Sequence, residues 1–406
     1  MFYNQMARIL LFTGKGGTGK TTMAAATALV AADQGKETVV MSTDPAHSLG
    51  DSLDRVLGPE PVKILPNLWA QELNILYNVK KYWNRVLSWL AAALIRYNPK
   101  EARAEDMAIL PGMEELANLL WIYDHNLNNR FELIVVDCPP TGESLRFFSF
   151  PKIGEWWAKK LLPLQRKGTT LLRPFVDFVS DVPLPDDKTF DAMDDLMNQL
   201  KELDALLIDS MHTSIRLVLN LDKMTIRETQ RAFNYFNLFG YPIDAIICNR
   251  FIPDELFSLY GEGWKGNQVK YLKFIEELFS PVPIFRAPLL GYEAIGIENL
   301  LKIGYSLYGE RDPTEIFFRG NPISIEKEGD DRILSLELPF IGNSKESVIR
   351  KEDISIERLG EELIVSIGNQ KRSFFLPSLA LMEREPKGAR IEKGRLLIRF
   401  GKRQQE

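Results

Sequence analysis

One nine-residue stretch limits what this chain can fold into more than any other: Gly14-Lys15-Gly16-Gly17-Thr18-Gly19-Lys20-Thr21-Thr22. From Gly14 to Thr21 it fits the spacing G-x-x-x-x-G-K-[ST]. The apolar run Ile9-Leu10-Leu11-Phe12 precedes it, and an alanine-rich segment from Met23 to Ala32 follows. The pattern reads as strand, tight loop, helix. Glycines let backbone N–H groups close around phosphate oxygens, and the helix N-terminus adds positive potential. In this reading Gly14, Lys15, Gly16, Gly17, Thr18, Gly19, Lys20, Thr21 and Thr22 line a nucleotide. Lys20 neutralises its β- and γ-phosphates, and Thr21 offers a hydroxyl to Mg²⁺.

Lys15 has no obvious task within its own loop. Its position resembles the deviant phosphate loop of dimeric ATPases, where this lysine reaches across to the partner's nucleotide. That resemblance implies a charge supplied in trans, as by an arginine finger, and therefore a catalytic homodimer. The alternative is a solvated loop lysine.

The bulk composition narrows the class. With 406 residues the chain has room for two or three domains. A hydrophobic content of 45% with 26% charged residues is that of an ordinary soluble protein, and the net charge of −5 argues against a nucleic-acid partner. The longest apolar stretch, Trp89 to Ile95, is too short to span a bilayer, so no integral membrane segment is expected. The first apolar run feeds directly into the phosphate loop, unlike a secretory signal. Cys138 and Cys248 are the only cysteines, which precludes a disulfide framework and any C-x-x-C metal pair. A cytoplasmic location is the expectation.

Up to about residue 315 apolar runs alternate with helical patterns, as in a parallel sheet with helices on both faces. The expected fold class is thus α/β, a P-loop NTPase sheet with helical insertions, over residues 1–315. Its strands are expected at Ile9–Phe12, Thr38–Ser42, Leu133–Asp137, Ile215–Leu219, Ala245–Cys248 and Val282–Phe285. Insertions are expected at about 75–125 and 147–211. Within the second, Met193, Leu196, Met197, Leu200, Leu203 and Leu207 share one helical face. A methionine-bearing face suits an adaptable client surface, for which Met193, Leu196, Met197 and Leu200 are candidates; core packing is the competing explanation. After Asp312-Pro313 the pattern turns to period two. Leu334/Leu336/Leu338, Leu363/Val365/Ile367 and Leu396/Ile398/Phe400 each share a strand face, and Leu359-Gly360-Glu361 reads as a hairpin turn. An all-β sandwich is expected over 321–401, and if it is independent, truncation near Pro313 should leave ATPase activity largely intact.

Two aspartates follow apolar strands. Asp44, in Asp44-Pro45-Ala46-His47-Ser48, is placed to orient an attacking water; His47 reads as a structural member of that switch. Asp137, in Asp137-Cys138-Pro139-Pro140-Thr141-Gly142-Glu143, is placed as a carboxylate near Mg²⁺, acting through water. In open α/β sheets ligands bind beyond the carboxyl ends of strands, where Asn249 also falls.

These segments together resemble the arsenite-stimulated ATPases and the tail-anchored-protein-targeting ATPases. The resemblance rests on GKGGTGKTT, DPAHSLGDS, DCPPTGESLRF, Leu110-Pro111-Gly112-Met113-Glu114-Glu115, Ile247-Cys248-Asn249-Arg250-Phe251 and Pro288-Leu289-Leu290, between about residues 7 and 305. It implies Mg-ATP hydrolysis in a head-to-head homodimer, with Lys15 and Lys20 acting on phosphate and Asp44 on water. Asn249 is implied as the adenine reader, and Pro288 with Leu289 as lining for the base. The zinc-binding C-x-x-C and the arsenite-binding cysteine triad of those families are missing, and Glu143 stands where a histidine is usual. No zinc is therefore expected. The C-terminal stretches Leu336-Glu337-Leu338-Pro339, Lys371–Pro377 and Ala389–Ile398 resemble an α-crystallin (small heat-shock protein-like) domain. The short Gly368-Asn369-Gln370 connection departs from the long dimerisation loop of bacterial small heat-shock proteins. An ATPase with such a tail resembles the cyanobacterial and plastid branch.

The leading function is a nucleotide-gated homodimer that binds and releases hydrophobic or membrane-protein client segments. The alternatives are an oxyanion (arsenite)-export ATPase subunit, which lacks its cysteines here, and a redox ATPase like the nitrogenase iron protein. The redox reading needs cysteine pairs for a cluster, so no iron–sulfur cluster is expected. A membrane-surface positioning ATPase would want an amphipathic membrane helix, whereas this chain ends in a β-domain.

Overall fold

A computed structural model describes residues 6–74 except Pro45 and His47, together with residues 77, 113–144, 187–254, 262–342, 347–379, 381 and 383–402. The chain opens with β1 (Arg8–Gly14), α1 (Lys20–Asp33), β2 (Thr38–Ser42), α2 (Ser48–Leu53), β3 (Val62–Leu65) and β4 (Leu68–Glu72). It continues with α3 (Met113–Leu127), β5 (Leu133–Asp137), α4 (Asp187–Ile208), β6 (Thr213–Asn220), α5 (Lys223–Phe239) and β7 (Ile243–Phe251). Then come α6 (Glu262–Phe279), β8 (Ile284–Pro288) and α7 (Ile297–Tyr308). Helices α3 and α4 occupy the later parts of the two expected insertions, and most of the remainder of both lies outside the described residues.

The strands form one sheet in the order β3-β4-β2-β5-β1-β6-β7-β8. All pairings are parallel except the β3–β4 hairpin. Alternation along β1 builds two cores. Ile9 and Leu11 face one side with α3, α4, α5 and α6, while Leu10 and Phe12 face the other with α1, α2 and α7. Helices therefore cover both faces. Every central strand is buried on both sides, which is why these runs read as continuously apolar. The sheet's carboxyl ends converge at the phosphate loop, Asp44, Asp137 and Asn249.

The remaining strands are β9 (Ile323–Glu328), β10 (Asp331–Glu337), β11 (Ile354–Leu359), β12 (Glu362–Ile367), β13 (Gln370–Phe375), β14 (Arg384–Glu392) and β15 (Arg395–Lys402). They make an antiparallel β14-β15-β10-β9 sheet and a β11-β12-β13 sheet. The three expected strand faces are all buried between them.

The β-sandwich is not a loosely tethered module. Its core is continuous with that of the α/β sheet on the α5 side. Phe340 sits edge-on to Phe233 of α5 at 5.6 Å and to Phe279 of α6 at 5.3 Å between ring centroids. The Phe340 N–H donates to Asn234 Oδ1 at 3.2 Å, and Arg372 donates to the Leu238 carbonyl. The connecting segment is tied down as well. Arg8 Nε donates to the Thr314 carbonyl at 2.9 Å, and Arg216 Nη2 to the Pro313 carbonyl at 2.8 Å. Arg216 is wholly buried and ion-paired to Asp244 at 3.3 Å.

This shared core corrects the expectation that truncation near Pro313 is harmless. Deleting residues 314–406 would expose Phe233 and Phe279, at about 2–3 kcal/mol each. It would also remove the Thr314 carbonyl that accepts from Arg8 and the Glu315 carbonyl that accepts from Arg216, against a total stability of roughly 5–15 kcal/mol. The truncated protein is expected to aggregate or melt many degrees lower. A monodisperse fragment with an unchanged melting midpoint would show that the shared core contributes little.

Candidate nucleotide site

The phosphate loop leaves β1 through a gap that only glycine fits. A Cβ on Gly14 would lie 2.1 Å from the Val218 carbonyl oxygen on β6. At the loop's far end Gly19 takes φ +92°, and a Cβ there would lie 2.2 Å from Asn249 Nδ2. Between them Thr18 closes the turn, its hydroxyl donating to the Lys15 carbonyl at 2.8 Å. Gly16 and Gly17 are exposed along the loop, and Lys20, Thr21 and Thr22 form the first turn of α1.

Lys20 is only 6% exposed, and its Nζ lies 3.9 Å from Asp44 Oδ2. Asp44 is held at the end of β2 by its own turn. Its N–H donates to Ser42 Oγ, and its Oδ1 accepts from Ala46 N–H at 3.0 Å. The structure thus brings together the two side chains expected to handle phosphate and water. His47 lies outside the described residues.

Asp137, at the end of β5, is completely buried. Its Oδ2 accepts from Thr21 Oγ1 at 2.7 Å and from Ser42 Oγ at 3.3 Å, while Oδ1 has no hydrogen-bond partner. Burial pushes its carboxyl up to about 7, against the opposing pull of the Thr21 hydroxyl and the Lys20 charge. A buried carboxylate with an orphaned oxygen beside the threonine hydroxyl is the donor set expected for a hydrated Mg²⁺. Ser42, Ser48 (3.0 Å from Thr21 Oγ1) and the Thr13–Ser144–Pro139 chain complete the surroundings. Pro139, Ser144 and Ser48 fall in segments already marked in the sequence; Thr13 and Ser42 were given no role there, and Ser42 carried one usable sign, a hydroxyl ending a strand beside the loop.

The raised carboxyl has a stability consequence. Between about pH 4 and 7 folded Asp137 keeps a proton that the unfolded chain has lost, so its contribution to stability falls as pH rises through this window. In metal-free protein, Asp137→Asn is therefore expected to raise the melting midpoint more at about pH 8 than at about pH 5. Equal effects at both pH values would refute the buried-carboxylate assignment.

Asn249, on β7, has both halves of its amide engaged. Its Nδ2 donates to the Thr18 carbonyl and its Oδ1 accepts from Arg250 N–H, each at 2.8 Å. In this conformation it braces the phosphate loop. Pro288 pairs with Phe251 at the adjacent strand end, and Leu289 N–H donates to the Phe251 carbonyl at 2.7 Å, so both expected base-lining residues lie close by in the sheet. Cys138 is buried, and burial beside Asp137 pushes its thiol well up; Cys248 is pushed up to about 12. Buried, protonated thiols are ill suited to ligating a cluster at a subunit boundary.

The candidate client face needs a correction. Leu196 and Leu200 are core residues of α4, and Met197 packs partly against the same cluster. The helical spacing reflects burial against β6 and α3, so in this structure that stripe offers no open groove. The side chain of Met193 lies outside the described residues.

The profile of the anion-transporting ATPases matches residues 7–309. The chain belongs to that family. The profile of an HSP20-like domain found in ArsA matches residues 329–400. The chain is 39% identical to the putative arsenical pump-driving ATPase 1 of Aquifex aeolicus, over 96% of this chain and 99% of that one. It is 36% identical to the putative arsenical pump-driving ATPase of Prosthecochloris vibrioformis, over 91% and 90%. A more distant relative is the ATPase ASNA1 homolog 1 of Paramecium tetraurelia, 27% identical over 73% of this chain and 91% of that one. Family membership supports ATPase activity, and the loop, Lys20 and Asp44 are disposed for it. Among the described residues, no helix is long and apolar enough to cross a membrane.

Proposed function

We propose that the chain is an Mg-dependent ATPase that works as a homodimer, and that ATP-driven closure and opening bind and release hydrophobic protein segments. The observation that carries the hydrolytic half is the Thr21–Asp137 pair with its orphaned carboxylate oxygen. Thr21 and Asp137 would hold Mg²⁺, the aspartate through water. When bound, the ion supplies positive charge to the phosphates. Lys20 holds the β- and γ-phosphates. Asp44 orients the water whose oxygen bonds to the γ-phosphorus as the bond to the bridging β–γ oxygen breaks, yielding ADP and phosphate. Pro288 and Leu289 line the base, and Asn249 reads it once its amide turns away from the Thr18 carbonyl.

Lys15 supports the dimer. Its ammonium does not fold back over its own loop but lies against Met224 Sδ on α5. A lysine not engaged with its own loop can be drawn to the nucleotide of a facing subunit once it leaves α5. The client half rests on the motif resemblance to the targeting ATPases, and the buried face of α4 moves the search for a client surface to other parts of the helical regions.

The test is capture. Asp44→Asn protein, co-expressed with a tagged apolar single transmembrane segment, is purified in ATP or in ADP and its mass measured in solution. A dimer that retains the segment in one nucleotide state only is the expected outcome. A clean dimer with bound ATP and no segment would refute client binding while leaving the ATPase in place. The arsenical names of two of the relatives above supply a second arm: arsenite is added to the wild-type turnover assay. With two buried thiols and no third cysteine, no stimulation is expected.

A further inference from the structure

Helix α5 reaches both the phosphate loop and the β-sandwich. Its first turn touches the phosphate loop: Met224, the helix's second residue, is 65% exposed and carries the Lys15 ammonium on its sulfur. Its second half is the floor on which the β-sandwich sits. Asn234 is wholly buried and accepts from Phe340 N–H, Phe233 packs on Phe340, and Leu238 accepts from Arg372. Between these, Arg227 Nη1 donates to the Ser347 carbonyl at 3.2 Å.

The helix is built to transmit position. Asp222 caps its start, accepting from the N–H groups of Met224 and Thr225 at 2.9 and 3.0 Å and from the Thr225 hydroxyl at 2.9 Å. Gly240 closes its end in the left-handed conformation. Ten residues separate Met224 from Asn234, roughly 15 Å of helix. A capped helix of this length shifts as a unit, so the sandwich that grips one end sets where the other end stands.

We propose that Met224 is a positioning residue for Lys15, and that the docked β-sandwich fixes Met224's place through α5. The inference rests on the reading that Lys15 acts in phosphoryl transfer. With Lys15 resting on Met224, the lysine must leave that seat to reach a phosphate. The seat therefore restrains turnover, and weakening it frees the lysine.

The experiment is a double-mutant cycle on the full chain, with kcat and KM for ATP measured for wild type, Met224→Ala, Asn234→Ala and the double variant. Each single change is expected to raise kcat about three- to tenfold with KM unchanged, and the double to rise no further than the larger single. Non-additivity over this distance is not expected from two merely structural lesions. Unchanged or lowered kcat in Met224→Ala, or effects that multiply in the double variant, would overturn the proposal. If Asn234→Ala does not fold, Arg227→Ala takes its place with the same expectation, since it loosens the same contact from a partly exposed position. Lys15→Ala separates the two levels. Wild-type turnover in Lys15→Ala sinks the underlying reading, whereas loss of turnover there with a multiplicative cycle sinks only this inference.

Discussion

Lys20→Ala is expected to bind Mg-ATP at least about a hundredfold more weakly, while Asp44→Asn binds it normally and hydrolyses it at least about a hundredfold more slowly. The contrast follows from what each side chain does. Lys20 is the buried cation at the start of α1, and removing it leaves the phosphates without that charge. Asp44 has one modest structural duty, accepting from Ala46 N–H through Oδ1, which an asparagine oxygen can take over. The substitution therefore spares the turn and removes only the charge that faces Lys20. Equilibrium binding of a fluorescent ATP analogue and phosphate release report the two steps separately. Normal affinity in Lys20→Ala would sink the phosphate-loop assignment. Undiminished turnover in Asp44→Asn would move the water-orienting role to another group.

How far these roles could be read from the sequence depended on whether the signal was local. The phosphate loop was legible because one short segment carries strand, glycine turn, lysine and helix in the right order. Strands β2 and β5 fell where their apolar runs placed them, since both are buried on two faces. The edge strand was harder. The run Val282–Phe285 suggested a strand that in fact spans Ile284–Pro288, because its inward residues, Phe285 and Ala287, alternate with an exposed Arg286 paired to Glu276. The β3–β4 hairpin went unread: Val62–Leu65 is a short, exposed edge without a clean period. The α4 stripe shows the reverse fault. Leu196, Met197 and Leu200 give the same helical spacing whether they face a core or a client, and only packing distinguishes the two.

What lay beyond the sequence was mostly long-range polar pairing. Asn234 meets the Phe340 amide across 106 positions, and nothing in a helical asparagine announces such a partner. The seat of Lys15 on Met224 spans 209 positions and is equally silent. Asp137 could be placed near Mg²⁺ by its strand-end position, but its orphaned oxygen and raised carboxyl depend on burial beneath the loop. Because the β-sandwich was legible as strands and its docking was not, it read as separable, whereas Phe233, Phe279 and Phe340 make one core of both parts.

The role of Lys15 in trans makes the second large prediction, since it requires that two inactive proteins repair each other. Lys15→Ala alone is expected to lose turnover by about a thousandfold while keeping ATP affinity, as for a charge needed only in the transition state. Asp44→Asn is inactive for a different reason, within its own site. In a mixed dimer the Lys15→Ala subunit keeps its own Asp44 and receives Lys15 from the Asp44→Asn partner, so one of the two sites is whole. If an equal mixture reassorts freely, half the dimers are mixed and half their sites work, giving about a quarter of wild-type turnover in the mixture and about half in purified mixed dimers. A lysine acting in cis gives no such recovery: the Asp44→Asn site lacks its aspartate, and the Lys15→Ala site lacks its lysine whichever partner it meets. The assay is phosphate release after co-refolding or co-expression of two differently tagged chains, with tandem purification isolating the mixed species. Activity that stays at the level of the single variants in purified mixed dimers would assign Lys15 to its own site. Failure to isolate any mixed dimer at all, when each chain alone folds and binds ATP, would instead remove the dimer on which the trans role depends.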